Sequence, residues 1–213
     1  MGQRHAARVA STERNRSGRP KTSLAEIKAL FARNDEWLFL AGHFTDHLYN
    51  EGGSIRLYFE PTAVRVIYDG QTVVLKKGEG FKQHLNMRDL FWGGCSVHSE
   101  VDQVRVFRQL FGNSTYVGWR GTTGWQMVDI NLGGKGDGNV NRTPNFFTYM
   151  NGKADASLVK EAWLKSADNV TWGRDAAGNA VRPKFSVIDS IGQEWILIGE
   201  MLPKKGWEKG RKF

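Results

Sequence analysis

Apolar residues recur at helical spacing in two segments of the chain. Over Leu24–Arg33, and again over 99–111, an apolar side chain returns every three or four positions, which is the spacing of an amphipathic helix. Thr22 or Ser23 can cap the first segment, and Gly112 can end the second. The pattern therefore predicts two helices, each with one buried face.

Short runs of mainly apolar residues predict strands that are buried on both faces. These runs are Trp37–Ala41, Leu90–Trp92, Thr115–Trp119, Phe185–Ile188 and Trp195–Ile198. A stricter alternation of apolar and polar residues begins at Ile55, and the segments Val64–Tyr68 and Thr72–Leu75 flank the turn pair Asp69–Gly70. This second pattern is typical of a β-hairpin.

Strands that alternate with helical segments are typical of an α/β fold. A third helical segment is predicted over Ala156–Ala167, and the Gly- and Asn-rich residues 131–145 predict a long loop. We therefore expect three layers, with a mostly parallel sheet, helices on both of its faces and the β-hairpin as an insertion.

The positive charge lies at the two ends of the chain. The net charge is +8, of which residues 1–22 carry +5 and residues 204–213 carry +4, so the body between them is close to neutral. We expect a flexible basic arm over 1–22, one domain over 23–203 and a basic tail over 204–213. Such tails contact nucleic acid only weakly, so nucleic acid is not the expected partner.

The single cysteine and the short apolar runs bear on location. An internal disulfide is excluded because Cys95 has no second cysteine to pair with, and a reducing cytoplasm is the expected compartment. The longest apolar run, Trp37–Ala41, is far shorter than the roughly 20 residues that span a bilayer. No membrane partner and no secretory signal are expected.

Two residues with catalytic chemistry follow predicted strands. His43 comes just after the run Trp37–Ala41, and Cys95 comes just after Leu90–Trp92. Sites in open parallel sheets form outside the carboxyl ends of the strands, so neighbouring strands would bring the two side chains together. A nearby imidazole favours the reactive thiolate, which predicts a nucleophile and its base.

Backbone groups beside these residues can complete such a site. Gly93 and Gly94 leave the chain uncluttered just before the thiol, where a substrate must approach. The N–H groups of Cys95 and Phe44 are expected to point into the same crevice. Two such donors can hold the oxyanion of a tetrahedral intermediate.

Four segments of the chain resemble the caspase-like cysteine peptidases, a superfamily that includes caspases, metacaspases and CHAT domains. Lys21–Phe44 (KTSLAEIKALFARNDEWLFLAGHF) resembles their helix and strand ending in histidine, and Asp89–Ser96 (DLFWGGCS) resembles the strand ending in the nucleophile. Tyr116–Trp125 (YVGWRGTTGW) resembles a later strand of CHAT domains, and Phe185–Leu197 the closing strands. The resemblance implies a caspase-like fold.

The same resemblance implies a cysteine endopeptidase that needs no cofactor or metal. Cys95 is then the nucleophile, His43 the base, and a protein or peptide the substrate, with an activating partner protein acting in trans. The peptide is expected to lie as an added strand beside Tyr116–Thr123. The residues expected to bind it are Gly118, Trp119, Arg120 and Asp129, of which Arg120 favours an acidic and Asp129 a basic P1 side chain.

Two alternatives stay open on the sequence alone. Phe44 stands where the family has glycine, so the chain can instead be an inactive caspase-like module that only binds. A zinc site is the other alternative, because four residues have ligand chemistry and suitable spacing: His43, His47, Cys95 and His98. Asp46 can orient His43, although an exposed loop carboxylate is the simpler expectation.

Overall fold

The computed structural model describes residues 22–50, 52–121, 158–161, 173–174, 180–181, 184–198 and 206–213. Two helices lie in this part of the chain, α1 (Leu24–Ala32) and α2 (Val101–Phe111), and residues 158–161 are also helical. The strands are β1 (Trp37–Ala41), β2 (His43–Phe44), β3 (Leu48–Tyr49), β4 (Ile55–Glu60), β5 (Ala63–Tyr68), β6 (Gln71–Lys76), β7 (Asp89–Gly93), β8 (Thr115–Arg120), β9 (Gly173–Arg174), β10 (Ala180–Val181), β11 (Lys184–Ile188), β12 (Gln193–Ile198) and β13 (Gly206–Lys212).

The cap of α1 and the end of α2 agree with the sequence signals, whereas α1 ends at Ala32 and not Arg33, and α2 begins at Val101 and not at residue 99. Ser23 caps α1: its hydroxyl accepts from the N–H of Glu26, and the Glu26 carboxylate accepts from the N–H of Ser23. This capping box satisfies two donors that the first turn cannot pair internally. Gly112 follows α2 with φ of 79°, a backbone conformation that favours glycine.

The larger sheet has six strands in the order β1-β7-β8-β11-β12-β13. The pairs β1–β7 and β7–β8 are parallel, whereas β8–β11, β11–β12 and β12–β13 are antiparallel. The sheet is therefore mixed, with its parallel part at the end that carries β1.

The second sheet is antiparallel, in the order β2-β3-β4-β5-β6. The predicted hairpin β5–β6 is confirmed, and Asp69 and Gly70 both have positive φ, as its two-residue turn requires. Strand β2 follows β1 after a single residue, so the two sheets meet at the carboxyl end of β1.

Hydrophobic cores lie on both faces of the six-stranded sheet. On one face, Leu40, Trp92 and Tyr116 join side chains of the helices and of the antiparallel sheet, and Phe59 from β4 contacts the rings of Trp92 and Phe107. On the other face a smaller cluster contains Phe91, Trp119, Val159 and Phe185.

The predicted fold class is wrong. Strands make up 45% and helices 19% of the described residues, so this part of the chain is mostly β. Its two large sheets are mixed and antiparallel, which does not match a helix-rich three-layer caspase-like α/β fold. The prediction failed because short buried runs such as Phe185–Ile188 give no information about strand direction. The last three strands of the six-stranded sheet are joined by antiparallel pairings.

The C-terminal basic segment is also not a detached tail. Residues 206–212 form β13, which pairs along the length of β12. Residues 1–21 of the predicted arm over 1–22, the loop 131–145 and most of the helix Ala156–Ala167 lie outside the described residues. None of the described helices is long and apolar enough to cross a membrane.

Candidate functional site

The candidate site lies where two neighbouring parallel strands end. Strand β1 pairs with β7 in the register Leu40 with Trp92 and Ala41 with Gly93. His43 and Cys95 each follow two residues after the last of these pairs. Because parallel strands end at the same edge of a sheet, His43 and Cys95 both lie at this edge.

Glycine lets these two strand ends approach each other. A Cβ placed on Gly94 would lie 2.9 Å from the carbonyl oxygen of Gly42 and 3.1 Å from the Cβ of Phe44. Real Cβ atoms do not come this close to backbone oxygen, so any larger residue at position 94 would push the segment that carries His43 away from the segment that carries Cys95.

The imidazole of His43 is stacked on an aromatic ring. His43 in β2 pairs with Tyr49 in β3, and their ring centroids lie 5.0 Å apart with planes at 19°. The column of rings continues through His47, which contacts Tyr49 and stacks on Tyr58 at 4.5 Å. Tyr49 thus limits the orientations of the candidate base, a contact that the alternation of polar and apolar residues did not reveal.

Cys95 begins a tight turn over residues 95–99 that we call the nucleophile loop. The thiol is half-buried and takes part in no disulfide. Ser96, with φ of 55°, reverses the chain, and its N–H donates to the carbonyl oxygen of Gly121 at 2.8 Å. The N–H of His98 donates to the carbonyl oxygen of Trp119 at 3.0 Å. The loop is therefore bonded along the end of β8.

The backbone N–H of Phe44 faces away from β3. Thr45 donates its N–H to the carbonyl oxygen of His47, which makes Phe44 and Leu48 a non-hydrogen-bonded pair of the antiparallel ladder. Since β2 is the edge strand of its sheet, this N–H points to the open edge, on the side where Gly94 approaches. The buried ring of Phe44 packs on Trp92 and Phe107.

The residues expected to bind substrate on β8 have other neighbours. Gly118 lies under the nucleophile loop, because a Cβ there would lie 2.6 Å from Val97. Trp119 is buried and packs edge-on against Phe185, and Arg120 donates to Glu194 at 2.7 Å. Asp129 lies outside the described residues.

The expected path of an added peptide strand beside Tyr116–Thr123 is blocked over the part that the structure describes. On one side β8 pairs with β11 along its length. On the other side it pairs first with β7 and then with the nucleophile loop. The sequence could not show this, because β8 reads as a buried run whichever elements flank it.

Asp46 interacts with its immediate neighbours. Its carboxylate accepts from the Thr45 hydroxyl at 2.8 Å and contacts Nδ1 of His47 at 2.6 Å. These two hydrogen bonds, that from Thr45 first, hold the pKa of Asp46 below its ordinary value. The side chain is exposed, as the sequence analysis expected for a loop carboxylate.

The four residues considered as zinc ligands do not converge. All of them lie within the described residues, where no three His, Cys, Asp or Glu side chains are close enough to hold a metal ion. His98 is fully buried, and its Nδ1 lies 3.0 Å from the Ser186 hydroxyl. Its side chain therefore lies in the protein interior beside Ser186 and does not form a site with Cys95.

A buried polar network lies beneath the nucleophile loop, and the sequence analysis missed it. Its centre is Glu194 on β12, which is fully buried and accepts hydrogen bonds from Ser186, Arg120 and Arg211. The available signal was a polar residue within a buried strand: Ser186 interrupts the run Phe185–Ile188. Comparisons with known proteins find no family model, curated protein or solved structure that matches the chain.

Proposed function

We propose that the chain is a cysteine peptidase in which Cys95 attacks the carbonyl carbon of a peptide bond and His43 accepts the thiol proton. The observation that carries this proposal is the register of β1 and β7, which puts both residues two positions beyond the aligned pair Ala41–Gly93. The close approach of Gly94 to Gly42 supports it, because that contact keeps the two strand ends together.

The first half of the reaction forms an acyl-enzyme. The Cys95 sulfur, having given its proton to His43, bonds to the carbonyl carbon, and the negative charge moves to the carbonyl oxygen. The N–H groups of Cys95 and Phe44 are the proposed donors to this oxyanion. His43 then gives its proton to the leaving amine as the carbon–nitrogen bond breaks, leaving a thioester.

The second half restores the enzyme. Water attacks the thioester carbon while His43 accepts its proton, and the Cys95 sulfur leaves as thiolate. The products are the carboxylic acid and the free enzyme. Cys95, His43 and water account for every bond and proton in the reaction, so the steps call for no metal or cofactor. The proposed setting is the cytoplasm, where a single thiol such as Cys95 stays reduced.

Peptide substrates are proposed from the two motifs that end in His43 and Cys95, which resemble those of caspase-like peptidases. This part of the proposal rests on the short segments alone, since the fold differs. Because β8 is paired on both sides, the substrate is expected to approach at the edge where β1 and β7 end, next to the half-buried His43 and Cys95, and not beside β8. An activating protein partner in trans is part of the same proposal.

Two substitutions test the dyad. Cys95→Ala and His43→Ala should each reduce cleavage of a proteome-derived peptide mixture by about 100-fold or more, because each removes a group that makes or breaks bonds. His84→Ala is the matched control, since His84 lies elsewhere and stacks on Phe81. Circular dichroism checks that each variant is folded. Wild-type cleavage by a folded Cys95→Ala protein would contradict the proposal.

A binding module without catalysis is the second candidate. The observation that favours it is the buried ring of Phe44, which ties the residue after His43 to the core through Trp92 and Phe107. The rate of Cys95 alkylation by iodoacetamide separates the two candidates. An activated thiol reacts at neutral pH faster than free cysteine, whereas the thiol of a binding module reacts at the ordinary rate or more slowly.

A further inference from the structure

A carboxylate without solvent contact joins four strands beneath the candidate site. Glu194 on β12 accepts from Arg120 on β8 at 2.7 Å and from the hydroxyl of Ser186 on β11 at 2.9 Å. Arg211 on β13 donates three times, from Nε at 2.9 Å, from Nη2 at 3.1 Å and from its backbone N–H at 3.0 Å. Burial by itself raises the pKa of Glu194, but the hydrogen bonds from Arg211 and Ser186 hold it below its ordinary value.

The same arginine also holds the nucleophile loop. Nη1 of Arg211 donates to the carbonyl oxygen of Ser99 at 2.7 Å, and Nη2 donates to the carbonyl oxygen of His98. A guanidinium presents five N–H donors in a rigid plane, so a single side chain can bind the carboxylate and both carbonyls at once. The three N–H donors of lysine share one nitrogen, which cannot span the acceptors that Arg211 reaches from three separate nitrogens.

The side chain of His98 gives the loop a second connection to Glu194. The Ser186 hydroxyl donates its one hydrogen to Glu194, so its oxygen must accept from Nδ1–H of His98 at 3.0 Å. His98 is fully buried, and Gly118 leaves the space for its ring, because a Cβ there would lie 3.0 Å from Cε1 and Nε2. Both the main chain and the side chain of residue 98 are therefore tied to Glu194.

We propose that Arg211, held in place by Glu194, is a positioning residue that fixes the nucleophile loop and thereby aims the Cys95 thiol at His43. This inference rests on the proposed function. It assigns the last strand of the chain, which the sequence analysis treated as a basic tail, a part in the site. Ser186 contributes through His98, three residues after Cys95.

The test compares Arg211→Lys with Lys209→Met. Lysine keeps a positive charge near Glu194 but releases at least one of the loop carbonyls. We therefore expect kcat to fall about 10-fold or more and KM to change by less than about 3-fold. This is the result expected when the reacting groups are misplaced but the substrate contacts remain. Lys209 is an exposed cation on the same strand, so Lys209→Met should keep the wild-type kcat.

A second readout reports the loop itself. In Arg211→Lys, amide hydrogen exchange should become faster at Ser96 and His98, whose N–H groups donate to the end of β8, while exchange in β4 and β5 stays as in wild type. A role in general stability alone would instead raise exchange across both sheets. If Arg211→Lys does not fold, Ser186→Ala, which removes one buried hydroxyl, replaces it and should change the same two readouts in the same direction.

The outcomes separate this inference from the proposed function. If wild type cleaves peptides and a folded Arg211→Lys or Ser186→Ala protein keeps both kcat and loop exchange unchanged, the positioning role is wrong while the peptidase assignment stands. If wild type cleaves no more than Cys95→Ala, both alone and in a cell lysate that can supply the proposed activating partner, the peptidase assignment fails and with it the aiming of the thiol. Loop exchange then still decides whether Arg211 fixes the loop.

Discussion

The ring of Tyr49 lies parallel to the His43 imidazole, 5.0 Å away, and faces the group that becomes positively charged in the proposed reaction. A cation over an aromatic face is stabilised by about 0.5–2 kcal/mol. Tyr49→Leu should therefore lower kcat/KM about 3- to 30-fold and lower the apparent pKa of the base in the pH profile, whereas Tyr49→Phe keeps the ring and should match wild type.

Tyr58→Leu is the matched control for Tyr49→Leu. Tyr58 belongs to the same sheet and stacks on His47, one step further from the base. Loss of activity in Tyr58→Leu equal to that in Tyr49→Leu would mean that the whole column of rings matters and that the contact with His43 has no special role. An unchanged pH profile in Tyr49→Leu would contradict the prediction directly.

The buried imidazole of His98 makes stability depend on pH. Burial lowers its pKa to about 3, although Glu194 opposes the shift. Between pH 6.5 and 3 the unfolded chain binds a proton at His98 that the folded chain does not, so the free energy of unfolding falls on acidification by up to about 1.4 kcal/mol per pH unit. Above pH 6.5 the full stability is present.

Asparagine at position 98 keeps an N–H donor for Ser186 but does not titrate. Urea unfolding of His98→Asn from pH 7 to pH 4.5 should therefore give a flatter dependence than wild type. Glu194 has a lowered pKa and changes the free energy of unfolding only below about pH 4.5, and burial also lowers the pKa of His84. Both residues are present in wild type and in His98→Asn, so their contributions to the pH dependence cancel in the comparison. Parallel curves for the two proteins would contradict the assignment.

At the scale of elements, the sequence predicted those helices, strands and turns whose signals come from residues adjacent in the chain. Helix α1, the strands β1 and β7 and the hairpin β5–β6 were all found from periodicity and turn residues, because these signals are local. The positions of His43 and Cys95 at strand ends follow from the same runs. The partner of each strand was not predictable, since pairing joins segments far apart in the chain, as β8 and β11 illustrate.

Gly94 links two elements and allows a direct test of their contact. Alanine there would place Cβ 2.9 Å from the carbonyl oxygen of Gly42, so the backbone must shift. Gly94→Ala should cost about 1–3 kcal/mol of unfolding free energy, in line with other overpacked sites, and should reduce cleavage more than it reduces stability at the assay temperature. Thermal unfolding and peptide cleavage measure the two effects.

Gly206 provides the control for Gly94→Ala. A Cβ at Gly206 has no atom within 4 Å, and its φ does not favour glycine, so Gly206→Ala should leave stability within about 0.5 kcal/mol of wild type. Activity retained in Gly94→Ala would mean that the ends of β1 and β7 tolerate separation and that the dyad does not depend on this contact.

At the scale of the whole molecule, charge pattern and strand pattern gave opposite answers about the C terminus. Counting charges assigned 204–213 to a tail, but alternate residues of β13 have different surroundings: Trp207 packs on Phe185, and Glu208 is exposed. Charged residues fit this edge strand because one side of it meets solvent. The α/β class was predicted wrongly for the same reason: the antiparallel pairing of β11, β12 and β13 depends on contacts between segments, and the sequence of one segment does not reveal them.

Removing residues 206–213 should therefore destabilise the entire fold. Glu194 would lose all hydrogen bonds from Arg211 and keep only those from Arg120 and Ser186, and breaking a buried ion pair by removing one partner costs about 3–5 kcal/mol. The combined substitutions Lys209→Gln and Lys212→Gln remove charge but keep the strand, and should change the free energy of unfolding by less than about 1 kcal/mol. Chemical denaturation of wild type, the truncated protein and the double variant distinguishes a structural strand from a tail. If residues 206–213 were a tail, the truncated protein would be as stable as wild type.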